Sequence, residues 1–163
     1  MDRPAIHHWH FTVTASSIDV LGHVNNREYL RWTETAATAH AESLGWPLDA
    51  MKRAGGVWVA HRHWIEYLQP AHQGDEIDLY TWVETMGSAA SLRRFAVKSG
   101  ERLLAVAATE WVYVDVERMR PCLIPETVAS SFPLVPADDE RLAALGIARA
   151  PRWNPTGRNA GGR

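Results

Sequence analysis

Between His7 and Thr14 apolar and polar residues alternate, with Trp9, Phe11 and Val13 on one side. A period of two predicts a half-buried strand. A short polar loop around Ala15, Ser16 and Ser17 follows, and then the period changes. Tyr29, Leu30, Trp32, Ala36, Ala37 and Leu44 fall on a helical stripe, which predicts a long helix over Asn26 to Leu44. Its boundaries are written in the sequence. Asn25 is a good N-cap, and Glu28 three residues on makes an Asn version of the capping box. Gly45 just past the end and Pro47 two residues further form a stop signal. The alanines on this helix suit a surface that another element approaches closely.

From Val57 to Val116 the chain reads as strands. Val57 to Leu68 is rich in β-branched and aromatic residues and ends at Pro70, with a turn at Gly74-Asp75. Ile77, Leu79, Thr81 and Val83 then alternate with Glu76, Asp78, Tyr80 and Trp82. After Gly87-Ser88 a strand runs over Leu92 to Lys98, and Ser99-Gly100 is a tight-turn signal before Leu103 to Val116. Short turns favour antiparallel neighbours, so the expected class is α+β, one long helix packed on an antiparallel sheet. Beyond Pro121, prolines 125, 133 and 136 mark a surface segment, and Asp138 to Leu145 fits a short helix. From Ala148 the chain carries Arg, Pro and Gly without an acid, the composition of a mobile basic tail. The expected division is a main domain over 1–136 and a C-terminal extension over 137–163.

Composition adds boundaries to this picture. The 163 residues fit one domain, and 46% hydrophobic with 22% charged residues supports a real core. A formal net charge of −2 gives no overall attraction to nucleic acid or to an anionic membrane. No apolar run is long enough for a bilayer span, and Met1 to Pro4 lacks a secretory signal, so a cytoplasmic location is expected. Cys122 is the sole cysteine, which excludes an intrachain disulfide. Eight tryptophans are many for this length; they suit core packing and the lining of an apolar groove.

The stretch from Asp19 to Tyr29, D-V-L-G-H-V-N-N-R-E-Y, carries the chemistry. It sets a carboxylate and an imidazole on a loop that feeds a helix N-terminus. The first N–H groups of a helix lack intrahelical acceptors and sit at the positive end of its dipole, where they can stabilise a developing oxyanion. A carboxylate beside such a site is the minimum for attack on an acyl group, directly or through water.

This pattern, D-x-x-G-H-V-N-N-x-x-Y followed by Trp32 and Glu34, resembles that of hotdog-fold acyl thioesterases, in particular the 4-hydroxybenzoyl-CoA and long-chain acyl-CoA thioesterase groups. Val114-Asp115 through Arg120-Pro121 to Ile124-Pro125 resembles that family's last strand and exit. The resemblance implies a long helix wrapped by a curved antiparallel sheet and hydrolysis of acyl-CoA to a carboxylic acid and free CoA. It implies Asp19 as catalytic carboxylate, His23 as orienter of carbonyl or water, and Asn25 as shaper of the loop. Backbone N–H groups of Val24 and Asn26 would form the oxyanion hole. Leu21 stands where plant acyl-ACP thioesterases have a second Asn, so their fuller arrangement does not transfer, and Glu34 is a weaker candidate. The resemblance also implies a homodimer or dimer of dimers, with CoA phosphates met by basic residues, for which Arg93, Arg94 and Lys98 are candidates. The alternative function is a non-catalytic hotdog protein that binds acyl-CoA or an acyl carrier ligand.

Two histidine groupings, His7-His8-x-His10 and His61-x-His63, have the spacing of shared strand faces. Without a carboxylate at ligand spacing they do not assemble three or four metal ligands, so no metal or cofactor is expected. Cys122, in a proline-bounded exit without a nearby histidine, is not expected to be a nucleophile.

Overall fold

The computed structural model describes residues 3–152. Strand β1 (Ile6–Thr12) leads through a 3₁₀ turn at Ala15–Ser17 to helix α1 (Asn26–Ser43) and the short helix α2 (Leu48–Arg53). Four strands follow: β2 (Gly56–Tyr67), β3 (Glu76–Met86), β4 (Ala90–Ser99) and β5 (Arg102–Asp115). Two short helices, α3 (Glu126–Ala129) and α4 (Glu140–Ala144), end the described chain.

The helix begins where its cap says it should. The Asn25 side chain accepts a hydrogen bond from the Arg27 N–H at 3.1 Å, while Gly45 at φ 93° supplies the left-handed residue that ends it. The reciprocal half of the expected capping box is not made. The Asn25 N–H goes to the Ser17 carbonyl at 2.9 Å, and Glu28 instead accepts from Arg31 Nε. Pro47, expected only as a stop signal, also serves as N-cap of α2.

All sheet pairings are antiparallel, in the order β1-β3-β4-β5-β2. The α+β expectation of a long helix on an antiparallel sheet holds. The strand order departs from chain order, because β2 skips β3 and pairs with β5, and β3 takes β1 instead. Residues 68–75 make that crossover, which carries the chain past the start of α1. Strands β1 and β2 are the two edges.

Tyr29, Trp32, Ala36 and Ala37 of α1 pack against Ile77, Leu79, Phe95, Val97 and Ala107 on one sheet face. Trp32, 2% exposed, is the largest side chain of that cluster, and truncating it to Ala would cost about 3–5 kcal/mol. The opposite face is covered as well. Val135, Leu142 and Ile147 bury Trp82 and Ala96 there. The extension expected from residue 137 therefore begins as part of the core, with Leu142 and Ile147 fully buried. Arg149 lies near Glu66 at 3.6 Å, and the Arg152 N–H donates to Glu66 at 2.8 Å. The basic tail beyond residue 152 lies outside the described residues.

Candidate active site

The loop from Ser17 to Asn25 is pinned at several points. The Asp19 N–H donates to the His23 carbonyl at 2.8 Å, and the Gly22 N–H to the Asp19 carbonyl at 3.1 Å. Gly22 adopts φ 79°, which a side chain would resist. The Asp19 carboxylate joins this network through one oxygen. Its Oδ1 accepts from the Leu21 N–H at 2.9 Å and from the His23 N–H at 3.4 Å. Among the described residues Oδ2 makes no hydrogen bond, so the loop holds the carboxylate by one oxygen and presents the other.

Asp19, His23, Asn25 and Asn26 line one cleft, together with Tyr29 and the segment Tyr67 to Pro70. The half-buried His23 ring meets His72 edge-on, with centroids 5.1 Å apart. Of the two expected oxyanion donors, Val24 is not available. Its N–H is taken by the Ala71 carbonyl at 2.8 Å, where the crossover segment passes the loop. Asn26, at the first helical position, is the donor that remains, because the cap claims Arg27 instead.

Sequence reasoning missed Tyr67 and Gln69, which reach this cleft from the end of β2. The Tyr67 hydroxyl donates to the Asn26 carbonyl at 3.2 Å, and its ring lies edge-on to Tyr29 at 5.2 Å. Burial and the Tyr67 hydroxyl push the Tyr29 phenol up to about 12, so Tyr29 stays protonated and acts as a wall.

A second, more apolar cavity of about 230 Å³ opens near the other end of α1. Trp46, Trp58, Trp111 and Phe132 wall it, with Met51 and Met86. Ala37 and Ala41 lie 11 to 15 residues along the helix from Asn26, which at ~1.5 Å per residue is roughly 17–22 Å. Within the chain as described, then, cleft and cavity are separate. Both nevertheless border β2, the cleft at Tyr67 and the cavity at Val57 and Trp58.

The three basic residues considered for CoA do not gather on a surface. Arg93 and Arg94 are 5% and 2% exposed, and Lys98 donates to the Leu145 carbonyl at 2.8 Å. Glu34 is exposed on α1 and lines neither cavity nor cleft. One histidine grouping does acquire the carboxylate that its sequence spacing lacked. Across the β1–β3 ladder, Asp78 Oδ1 meets His8 Nε2 at 2.6 Å and His10 Nδ1 at 2.9 Å. His10 also bonds Glu76, and these hydrogen bonds to Asp78 and Glu76 raise its pKa. The groups thus satisfy one another on an exposed edge and line neither the cleft nor the cavity.

The profile of the Thioesterase-like superfamily matches residues 13–132, which include the loop, α1 and the whole of β2 to β5. YneP of Bacillus subtilis (strain 168), whose name marks it as a candidate acyl-CoA thioesterase, is 26% identical over 110 residues, covering 67% of this chain and 80% of its own. The acyl-CoA thioester hydrolase YbgC of Escherichia coli O157:H7 is 24% identical over 125 residues, covering 76% of this chain and 93% of its own. Among solved structures, Slr0204 of Synechocystis, a 1,4-dihydroxy-2-naphthoyl-CoA thioesterase, superposes with a TM-score of 0.70 at 18% identity. That superposition covers 77% of this chain and 94% of the other, and it confirms the hotdog architecture.

Proposed function

Because this chain belongs to the Thioesterase-like superfamily, we propose that it hydrolyses acyl-CoA thioesters, with Asp19 as the catalytic carboxylate. The observation that carries the reading is the half-engaged Asp19, one oxygen tied into the loop and the other presented to the cleft beside the start of α1. Oδ2 accepts a proton from water as the water oxygen attacks the thioester carbon. Negative charge collects on the carbonyl oxygen, where the Asn26 N–H and the positive end of α1 stabilise it. Collapse of the tetrahedral species breaks the C–S bond, the proton held by Asp19 passes to the departing sulfur, and the carboxylic acid and the CoA thiol are released. His23 orients the carbonyl or the water, and Asn25 positions the helix start through its cap.

The working unit in this reading is a homodimer joined through β2. That strand is an edge, and exposed Val59 and Tyr67 on it, with Leu48 and Leu21 beside it, form an apolar border suited to burial. If two copies of Gly56–Tyr67 pair antiparallel about a twofold, the axis falls near residues 61–62 and Tyr67 of one copy lies beside Gly56 of the other. The Asp19 cleft of one protomer then faces the tryptophan-walled cavity of its partner, and a single site draws on both. The lone Cys122 and the absence, among the described residues, of a helix long and apolar enough to cross a membrane fit a cytoplasmic setting.

Release of free thiol from short, long and aromatic acyl-CoAs tests the reading. Turnover on at least one class is expected. Tight binding without thiol release from any member would favour a non-catalytic acyl-CoA binder instead. Mixing Asp19→Asn protomers with Trp58→Ala protomers, each impaired alone, should restore activity in the heterodimer. No recovery would contradict the shared site.

A further inference from the structure

The tryptophan-walled cavity contains a charge that its walls do not balance. Arg93 stands on the helix-facing side of β4, 5% exposed, and lines the cavity. Its Nη1 donates to His40 Nδ1 at 2.9 Å and to Thr81 Oγ1 at 3.1 Å. Both acceptors are neutral. His40 donates its Nε2–H to the Pro4 carbonyl at 2.7 Å, which fixes the tautomer whose Nδ1 accepts from Arg93. Burial holds the His40 pKa down to about 4, so the ring carries no charge at neutral pH. Burial also lowers the Arg93 pKa to about 10, which leaves the guanidinium charged, and among the described residues no carboxylate opposes that shift. Among the described residues no Asp or Glu lines the cavity.

A second donor is also unpaired. Trp111 Nε1, in the cavity wall, is buried and has no hydrogen-bond partner among the described residues. Buried donors without acceptors and buried charges without counter-charges are each costly. Both occur here in one apolar space, beside rings that could have been lined by hydrocarbon alone. The His40–Arg93–Thr81 bonds use only Nη1 and, among the described residues, leave the donors of Nη2 and Nε uncommitted to any side chain.

We propose that this cavity receives the distal end of an acyl group bearing a carboxylate, which Arg93 and the Trp111 indole N–H bind together. The inference rests on the thioesterase reading and on the pairing of β2 strands that sets the cavity before a partner's Asp19. The substrate class is the mono-CoA thioester of a dicarboxylic acid. Its methylenes lie against Trp58, Phe132 and Met86, and its carboxylate replaces the missing counter-charge. A cavity of about 230 Å³ exceeds the ~150 Å³ that holds a benzene ring, so a chain of about six carbons fits. Arg93 here determines specificity; it touches the acyl group and not the reacting carbon.

Adipoyl-CoA and hexanoyl-CoA are matched probes, equal in carbon number and differing by the distal carboxylate. The wild-type protein should hydrolyse adipoyl-CoA with a kcat/KM at least about tenfold higher, the scale of one charge-assisted hydrogen bond. In Arg93→Met that ratio should fall to one or below. Trp111→Phe, which keeps a ring and removes the N–H, should lower it about three- to tenfold, and this variant decides if Arg93→Met does not fold. Equal or faster hydrolysis of hexanoyl-CoA by the wild type would overturn the inference while leaving the thioesterase reading intact. Hydrolysis of another acyl-CoA but of neither probe would overturn the inference alone; if no acyl-CoA is hydrolysed, the thioesterase reading is at fault, and quenching of tryptophan fluorescence decides the cavity separately. Tighter binding of adipoyl-CoA by about tenfold would uphold its anion preference, and equal binding would end it.

Discussion

Arg93 and Arg94 are neighbours on β4 and point to opposite faces of the sheet, where they meet opposite fates. Arg94 is closed in. Its Nη1 pairs with Glu84 at 3.0 Å, its Nη2 donates to the Arg149 carbonyl at 3.0 Å, and its guanidinium lies 5.5 Å from the Trp82 ring centre. Among the described residues Arg93 is held only by neutral groups, at the wall of an apolar cavity. Both are buried, yet among the described residues one has its counter-charge and the other does not. A buried ion pair with its partners in place is architecture. A buried cation without an anion in an apolar cavity is a receptor.

Breaking the closed side should have the largest effect. Glu84→Ala strands Arg94 without its anion and is expected to cost about 3–5 kcal/mol in chemical denaturation, with no change in acyl preference. A shift in preference would show that the outer face communicates with the cavity. On the open side the next effect is one of pH. The pKa of His40 is depressed to about 4 in the folded chain against an ordinary 6.5. The unfolded chain therefore takes up a proton more readily, and this contribution is fully present above pH 6.5 and lost as pH falls towards 4. The change amounts to at most about 3 kcal/mol. His40→Gln should remove that part of the pH dependence, and denaturation curves at pH 7.5 and 4.5 read it directly. Arg93→Met should have a smaller effect on stability, about 1 kcal/mol, since it removes an unbalanced charge while orphaning the His40 and Thr81 acceptors. A loss as large as that of Glu84→Ala would mean that Arg93 has an anionic partner in the assembled protein. Of similar size is the helix cap, where Asn25→Ala should cost about 1 kcal/mol and displace the Asn26 N–H.

The two arginines also show where sequence reasoning stops. Their alternation on a strand is legible, but a period of two does not say whether one face or both are covered. Leu142 and Ile147, some fifty residues away, close the outer face, so a pair that reads as solvated and available to CoA is buried on both sides. The same limit applies to the strand order. Short turns and alternation identify β2 to β5, yet nothing local tells β2 to pass over β3 and pair with β5. By contrast, the boundaries of α1 depend on Asn25 and Gly45 alone, and these were readable. At the site, the Asp19 loop was legible as a motif because its contacts are mostly internal. The loss of Val24 as a donor was not, because Ala71 reaches it from the crossover segment.

The most direct test of the central claim is kcat/KM for the best acyl-CoA in wild type and in Asp19→Asn. The asparagine can keep the Oδ1 bonds to the Leu21 and His23 N–H groups, so the loop should stay in place and thermal stability should hardly move. Only the proton-accepting oxygen is lost. Thiol release slowed by about a hundredfold or more, with unchanged folding, is the result this account predicts. Turnover at the wild-type rate would contradict it and place the chemistry elsewhere.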